Sequence, residues 1–286
     1  MQSTRTKWFL ILLAGAGLAI FLFQSDDSLQ QVRQRGVLRI GYAVEAPYAF
    51  VGNGGTVLGE SPATAELIAR QMGITQIEWI QVPFADLIPS LLERRFDLIA
   101  AGLFITPERS RQVAFSHPTL RVYPGLLVRK GNPQSIHAYA ELAARKNLKV
   151  AVLSGSVEQA RLLQLGLTDP QTLVMPDAQA GMAAVASGSA DVLALSLPTT
   201  RWLATSNPQL FDAVGDSGEH TRDVLLDQVA MAFNPRDKTL LAKWDEAADV
   251  VIGSTEHLSA INNFGFTAQD VIAPGSDSTK LAGGAR

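Results

Sequence analysis

The 286-residue chain has no cysteine. That removes disulfides, thiolate zinc sites, iron–sulfur clusters, cysteine nucleophiles and a lipid-modified N-terminal cysteine from consideration. Histidine is scarce too, with four residues at 117, 137, 220 and 257 and no pair at a metal-ligand spacing, so surface or capping roles are expected for them and no metal. A formal charge of −3 gives no electrostatic footprint for nucleic acid. There is no G-x-S-x-G elbow, no Walker A lysine loop and no H-E-x-x-H, and Gly52-Asn53-Gly54-Gly55 is followed by no helix of the kind a dinucleotide fingerprint needs. Nothing in the residues announces an enzyme or a cofactor. The 47 % apolar fraction is ample for a buried core, which excludes disorder for most of the chain.

What is present begins with Arg5 and Lys7 ahead of an unbroken stretch of apolar residues and glycine from Trp8 to Phe23. As a helix this stretch would cover about 24 Å, short of the roughly 30 Å hydrocarbon core. Residues 1–25 are therefore expected to be a signal peptide or an N-terminal membrane anchor, with the remainder exported. Length favours the signal peptide, whereas bulky Phe21, Leu22 and Phe23 stand where a small-x-small cleavage triplet belongs, which favours the anchor. Loss of residues 1–23 would remove two positive charges and no negative one.

From Gly36 onward, short β-rich runs alternate with helical patterns, the mark of α/β layering with parallel strands. A first unit reads as a strand at 37–42, a turn at 52–55, a helix from Ser61 (N-cap) and Pro62 to Met72, a strand at 77–82, a helix at 87–94, a strand at 98–101 and a helix capped by Thr106-Pro107. A second unit reads as strands at 148–153, 173–175 and 191–195, with helices at 157–165 and at 178–187, the latter capped by Asp177. Tyr123–Arg129 and Asp227–Phe233 are extended apolar runs suited to crossing between two lobes. Residues 237–252 form an amphipathic helix, and 274–286 read as a disordered tail.

The segment Ala101-Gly102-Leu103-Phe104-Ile105-Thr106-Pro107-Glu108-Arg109, trailed by Phe115-Ser116-His117-Pro118, resembles the G-x-x-I-T-x-E-R…F-S-x-P motif of the family 3 periplasmic solute-binding proteins of ABC importers. Residues 41–50, Arg95-Phe96-Asp97, Gly155-Ser156-Val157-Glu158 and 188–198 fall at other landmarks of that family, so the resemblance spans about residues 33–255. It implies a type II binding-protein fold of two α/β lobes joined by a two-strand hinge, with 33–128 and 226–265 in lobe 1 and 129–225 in lobe 2. It also implies a periplasmic monomer that takes a small ligand and meets permease subunits in the membrane.

By that resemblance Arg109 holds the ligand's carboxylate, as a planar bidentate fork beside the free N–H groups of a helix N-terminus. Two departures bear on the ligand. The acidic residue that binds an α-ammonium in amino acid receptors is replaced by Ser196, and a small hydroxyl is replaced by Phe104. Glu45-Ala46-Pro47-Tyr48, Phe84 and Phe104 instead resemble the ectoine and hydroxyectoine receptors within the family. The resemblance then implies that Tyr48, Phe84 and Phe104 box a diffuse cation, Glu45 meets its N–H groups, and Gly102, Gly155, Ser156 and Ser196 complete the site. A polar amino acid is the alternative ligand, and a cyclic-acid dehydratase, with Glu45 as general acid, is the alternative activity.

Overall fold

The computed structural model describes residues 26–215 and 226–275. The expected export segment, His220 and residues 276–286 of the expected tail lie outside the described residues. The chain forms β1 (Leu38–Tyr42), a hairpin of β2 (Phe50–Val51) and β3 (Val57–Leu58), β4 (Ile77–Gln81), β5 (Leu98–Ile99) and β6 (Ala114–Phe115). It passes through β7 (Leu120–Val122) into β8 (Pro124–Arg129), β9 (Val150–Leu153), β10 (Thr172–Met175), β11 (Val192–Ser196) and β12 (Phe211–Val214). It returns through β13 (Asp227–Val229) to β14 (Ala232–Phe233).

Two five-stranded sheets result, in the orders β4-β1-β5-β14-β6 and β10-β9-β11-β8-β12. In each, three neighbouring strands are parallel, the fourth, β14 or β8, runs against them, and the edge strand beyond it, β6 or β12, is antiparallel to the fourth. The antiparallel strands are the ones that enter from, or return to, the other lobe, so the mixed sheet is the consequence of two chain crossings. The crossings themselves pair: β7 and β13 form a two-stranded antiparallel ribbon with Val122 opposite Asp227 and Leu120 opposite Val229. This is the hinge. The first hinge strand lies a few residues earlier than the expected Tyr123–Arg129, because β8 is fully engaged in the second sheet between β11 and β12. Both runs are extended and apolar, and only their partners tell them apart.

Lobe 1 buries Trp244 on the amphipathic helix Lys238–Val251, with Phe233 of β14 edge-on to it at 5.7 Å. Lobe 2 packs Leu126, Val128, Val150, Val152 and Val192 on one face of its sheet and Leu127, Ala151, Leu193 and Leu195 on the other. Strands covered on both faces read as continuous apolar runs rather than alternating ones. The cap expected from Thr106 is present, its Oγ1 accepting from Arg109 N–H at 3.1 Å, and Asp177 caps Ala178–Ser187 in the same way at 2.7 Å. Ser61, by contrast, does not cap its helix, which runs from Glu60 to Gln71 behind Gly59. Gly59 has φ +134°, and a Cβ there would stand 2.3 Å from the Tyr48 carbonyl oxygen, so backbone proximity sets this helix start instead of a hydroxyl.

His257 corrects a third expectation. It is fully buried, its Nδ1 accepts from Gly253 N–H at 3.1 Å and its Nε2 lies 3.1 Å from Thr64 Oγ1. Burial pulls its pKa down to about 4, so it is a neutral core histidine with the proton on Nε2. Thr64 Oγ1 in turn donates to Glu60 Oε1 at 3.0 Å, Ser61 Oγ donates to Glu60 Oε2 at 2.9 Å, and Gly102 N–H donates to Ser61 Oγ at 3.0 Å. The serine missing from the cap therefore tethers the loop that carries Gly102.

Candidate functional site

The loops that leave the carboxyl ends of β1, β4, β5, β9 and β11 meet between the lobes, which is where open α/β sheets place ligands. Tyr48, Phe84, Gly102, Phe104, Arg109, Glu45 and Ser156 line one cavity together with Val157 and Glu158. Of the residues singled out from the sequence, seven thus share one space. Gly155 and Ser196 border it through hydrogen bonds rather than by lining it.

Each ring is fixed by its neighbours. Tyr48 is buried against Phe266 at 5.5 Å on one side, and on the other its ring covers Gly102, where a Cβ would stand 2.4 Å from the ring. Gly102 also has φ +63°, so both conformation and space demand glycine there. Phe104 is held by a bridge to Val229 of the hinge, and the next residue's N–H donates to Gln228 O at 2.8 Å. The loop between β5 and the Arg109 turn is therefore bonded directly to the hinge ribbon. Phe84 sits at the cavity rim with the Arg109 guanidinium 5.6 Å over its ring, so it stacks on the arginine as well as walling the cavity.

Arg109 is buried, with Nη1 donating to Phe104 O at 2.9 Å and Nη2 donating across the cleft to Gly155 O at 3.0 Å. Three N–H groups, the Nε one and one on each terminal nitrogen, remain for other acceptors. The expected help from a helix N-terminus is small, because the helix is the single turn Pro107–Ser110. The charge of Arg109 is instead balanced by nearby carboxylates: burial lowers its pKa, and Glu158, Asp227, the exposed Glu108 and Glu45 raise it.

Glu158 was not among the residues expected to form the site. It lies two residues past Ser156 in the first turn of the helix Val157–Gln164, and it is buried. Burial, and the nearby Asp227, push its carboxyl up against the opposing pull of Arg161 and Arg109. Glu45, from lobe 1, is pushed up to about 7 by burial and by Glu158, with Thr199 and Arg109 working the other way. Behind them Arg161 Nη2 holds both carboxylate oxygens of Asp227 at 3.1 Å, tying this helix to hinge strand β13.

The lobes touch directly at the cavity. Tyr48 OH donates to Ser196 Oγ at 3.2 Å, Thr199 Oγ1 donates to Glu45 Oε1 at 2.9 Å, and Arg109 reaches Gly155 O. Above them Phe50 of lobe 1 meets Trp202 of lobe 2 at 5.7 Å. The space left is about 10 Å³, room for a single water-sized sphere, so anything larger enters only when the lobes part. Among the described residues no cluster of histidine and carboxylate side chains could hold a metal, and no helix is long and apolar enough to cross a membrane.

Residues 38–263 match the profile of bacterial extracellular solute-binding proteins, family 3. The chain belongs to that family. Its fold, two α/β lobes on a two-strand hinge, is that of this family's solved members. A probable amino-acid ABC transporter periplasmic-binding protein, y4tE, of Sinorhizobium fredii is 29 % identical over 282 residues, covering 94 % of this chain and 91 % of the relative. The ABC transporter arginine-binding protein 1 of Escherichia coli is 27 % identical, covering 73 % and 83 %. The crystal structure of EhuB in complex with hydroxyectoine superimposes with a TM-score of 0.78 at 27 % identity, covering 86 % of this chain and 95 % of that one.

Proposed function

We propose that this chain is the extracytoplasmic solute-binding component of an ABC importer, and that it captures a small zwitterion, ectoine or hydroxyectoine in the first instance, by closing its lobes around it. The observation that carries this is the content of one cavity: a single guanidinium, two carboxylates and three aromatic rings, drawn from both lobes. Arg109 takes the ligand's carboxylate with the three N–H groups that Phe104 O and Gly155 O leave unused. Glu45 and Glu158 flank the cationic end. Tyr48 and Phe104, with Phe84 at the rim, present ring faces to a diffuse charge, each worth roughly 0.5 to 2 kcal/mol once water is excluded. Ser156 and Ser196 supply hydroxyls from lobe 2.

One arginine against two carboxylates leaves the site short of positive charge, so a solute with no cationic group is disfavoured. Hinge closure follows from differential contact: ligand held by lobe 1 gains Ser156, Glu158 and Ser196 only when lobe 2 arrives. A permease would read the closed form, and the protein works as an exported monomer.

A second reading, an α-amino acid ligand, is favoured by Glu158. The sequence lacks the family's acidic residue at Ser196, yet Glu158 brings a carboxylate into the same cavity from the other side and can meet an α-ammonium. The two relatives named for amino acids point the same way. A calorimetric panel of ectoine, hydroxyectoine, glycine betaine, arginine, glutamine and cystine separates the readings. Tightest binding to ectoine or hydroxyectoine supports the first and tightest binding to an α-amino acid the second. Failure to bind any zwitterion overturns both.

A further inference from the structure

A second concavity stands on the far side of the Tyr48–Phe266 layer, with a volume of about 490 Å³, well inside the range of small-molecule sites. Its walls come from three parts of the molecule. Arg121 and Tyr123 belong to hinge strand β7 and the residue just after it, Arg201 and Trp202 to the lobe 2 helix Leu197–Ser206, and Phe264 and Asp270 to the lobe 1 segment after the helix Thr255–Asn262. It is separate from the ligand cavity, sharing none of that cavity's lining residues.

The charges in this groove are unbalanced. Asp270 is the one carboxylate lining it among the described residues, and its Oδ2 is occupied by Thr267, accepting from the backbone N–H at 2.8 Å and from Oγ1 at 2.9 Å. Neither Arg121 nor Arg201 has an ion-pair partner among the described residues. The Nε of Arg121 is buried and has no hydrogen-bond partner among the described residues, a condition that needs a reason, since buried donors are nearly always satisfied. Beside the two guanidiniums stand half-buried aromatic faces, Trp202, Phe264 and Tyr123.

We infer that this groove is a second binding site, for a small aromatic anion. The anion meets the Arg121 and Arg201 guanidiniums, and the ring lies against Trp202 and Phe264. The helix that supplies Arg201 and Trp202 also supplies Ser196, at its N-cap, and Thr199 to the contacts with Tyr48 and Glu45. Because both lobes build the groove, its occupant binds the closed arrangement better than the open one, and a molecule that binds one state preferentially shifts the population toward it.

The test uses the full exported chain and benzoate as probe, with inorganic phosphate and benzyl alcohol as the charge-only and ring-only controls, followed by ligand-observed NMR and calorimetry. Saturable binding of benzoate is expected, with both controls at least about tenfold weaker. Arg201→Gln, an exposed position whose folding is safe, is expected to weaken benzoate several-fold, and the Arg121→Gln/Arg201→Gln pair about tenfold or more. Small-angle scattering should show the particle contract as benzoate saturates. Absence of saturable binding, or binding undiminished in the double variant, overturns the proposal. None of these readouts depends on the identity of the transported solute, so the outcome stands apart from that of the panel above.

Discussion

Glu45 makes ligand affinity depend on pH in a direction the site dictates. Its carboxyl is pushed up to about 7 by burial and by the neighbouring Glu158, against Thr199 and Arg109. A cation placed beside it favours the ionised form and lowers that value, so capture of a zwitterion expels a proton between the lowered value and about pH 7. Affinity therefore rises with pH through the acid range and levels off above neutrality. With a free-state pKa of about 7 and a bound cation that keeps Glu45 ionised across the range, the dissociation constant at pH 5.5 should be about 30-fold larger than at pH 8. Glu158 is coupled to the same proton, so the titration belongs to the pair, and a single variant at either position should flatten the profile. Calorimetry at pH 6 in buffers of different ionisation enthalpy should count about one proton released per ligand. Glu45→Gln should bind more weakly at pH 8 but show little change between pH 5.5 and 8. A wild-type dissociation constant that is flat across this range, or proton uptake on binding, would refute the reasoning.

Three structural perturbations have equally definite outcomes. Gly102→Ala drives a Cβ to 2.4 Å from the Tyr48 ring at a φ of +63°, which should cost about 1 to 3 kcal/mol of stability and abolish ligand binding, measured by urea melts and titration. Trp202→Ala removes the ring that meets Phe50 across the cleft and should weaken binding while leaving the urea midpoint nearly unchanged; equal affinity would remove the pair from the closing contacts. Asp227→Ala leaves the Arg161 guanidinium, 11 % exposed, without its carboxylate, and a loss of about 3 to 5 kcal/mol is expected in the same melts.

The sequence made some of this legible and hid the rest for identifiable reasons. Thr106-Pro107 and Asp177 cap their helices as read, because capping is local and three residues decide it. Ser61-Pro62 carries the same local signature, yet the serine turns inward to Glu60 and Gly102, since the helix start is set by Gly59 pressing on the Tyr48 backbone. Alternating elements and the Arg109 motif led to the lobes and to seven residues of one cavity. Glu158 is harder to read, because an acidic residue in the first turn of a helix usually answers the macrodipole from the surface. Its place two residues after Ser156 was the available signal, as the first turn folds both side chains toward one cleft. The buried state of His257 had no such signal, because its partners Gly253 and Thr64 come from a turn and a helix whose packing only the fold reveals.

The most direct test of the central claim, that one buried arginine receives the carboxylate of a zwitterion, is a calorimetric comparison of the wild type with Arg109→Gln. The titrant is whichever member of the panel binds the wild type most tightly, alongside its carboxamide. Two charge-assisted hydrogen bonds at about 1.5 kcal/mol each correspond to a loss of 100-fold or more for the carboxylate, and the carboxamide should bind both proteins weakly and nearly alike. Undiminished affinity of Arg109→Gln for the carboxylate would contradict the account.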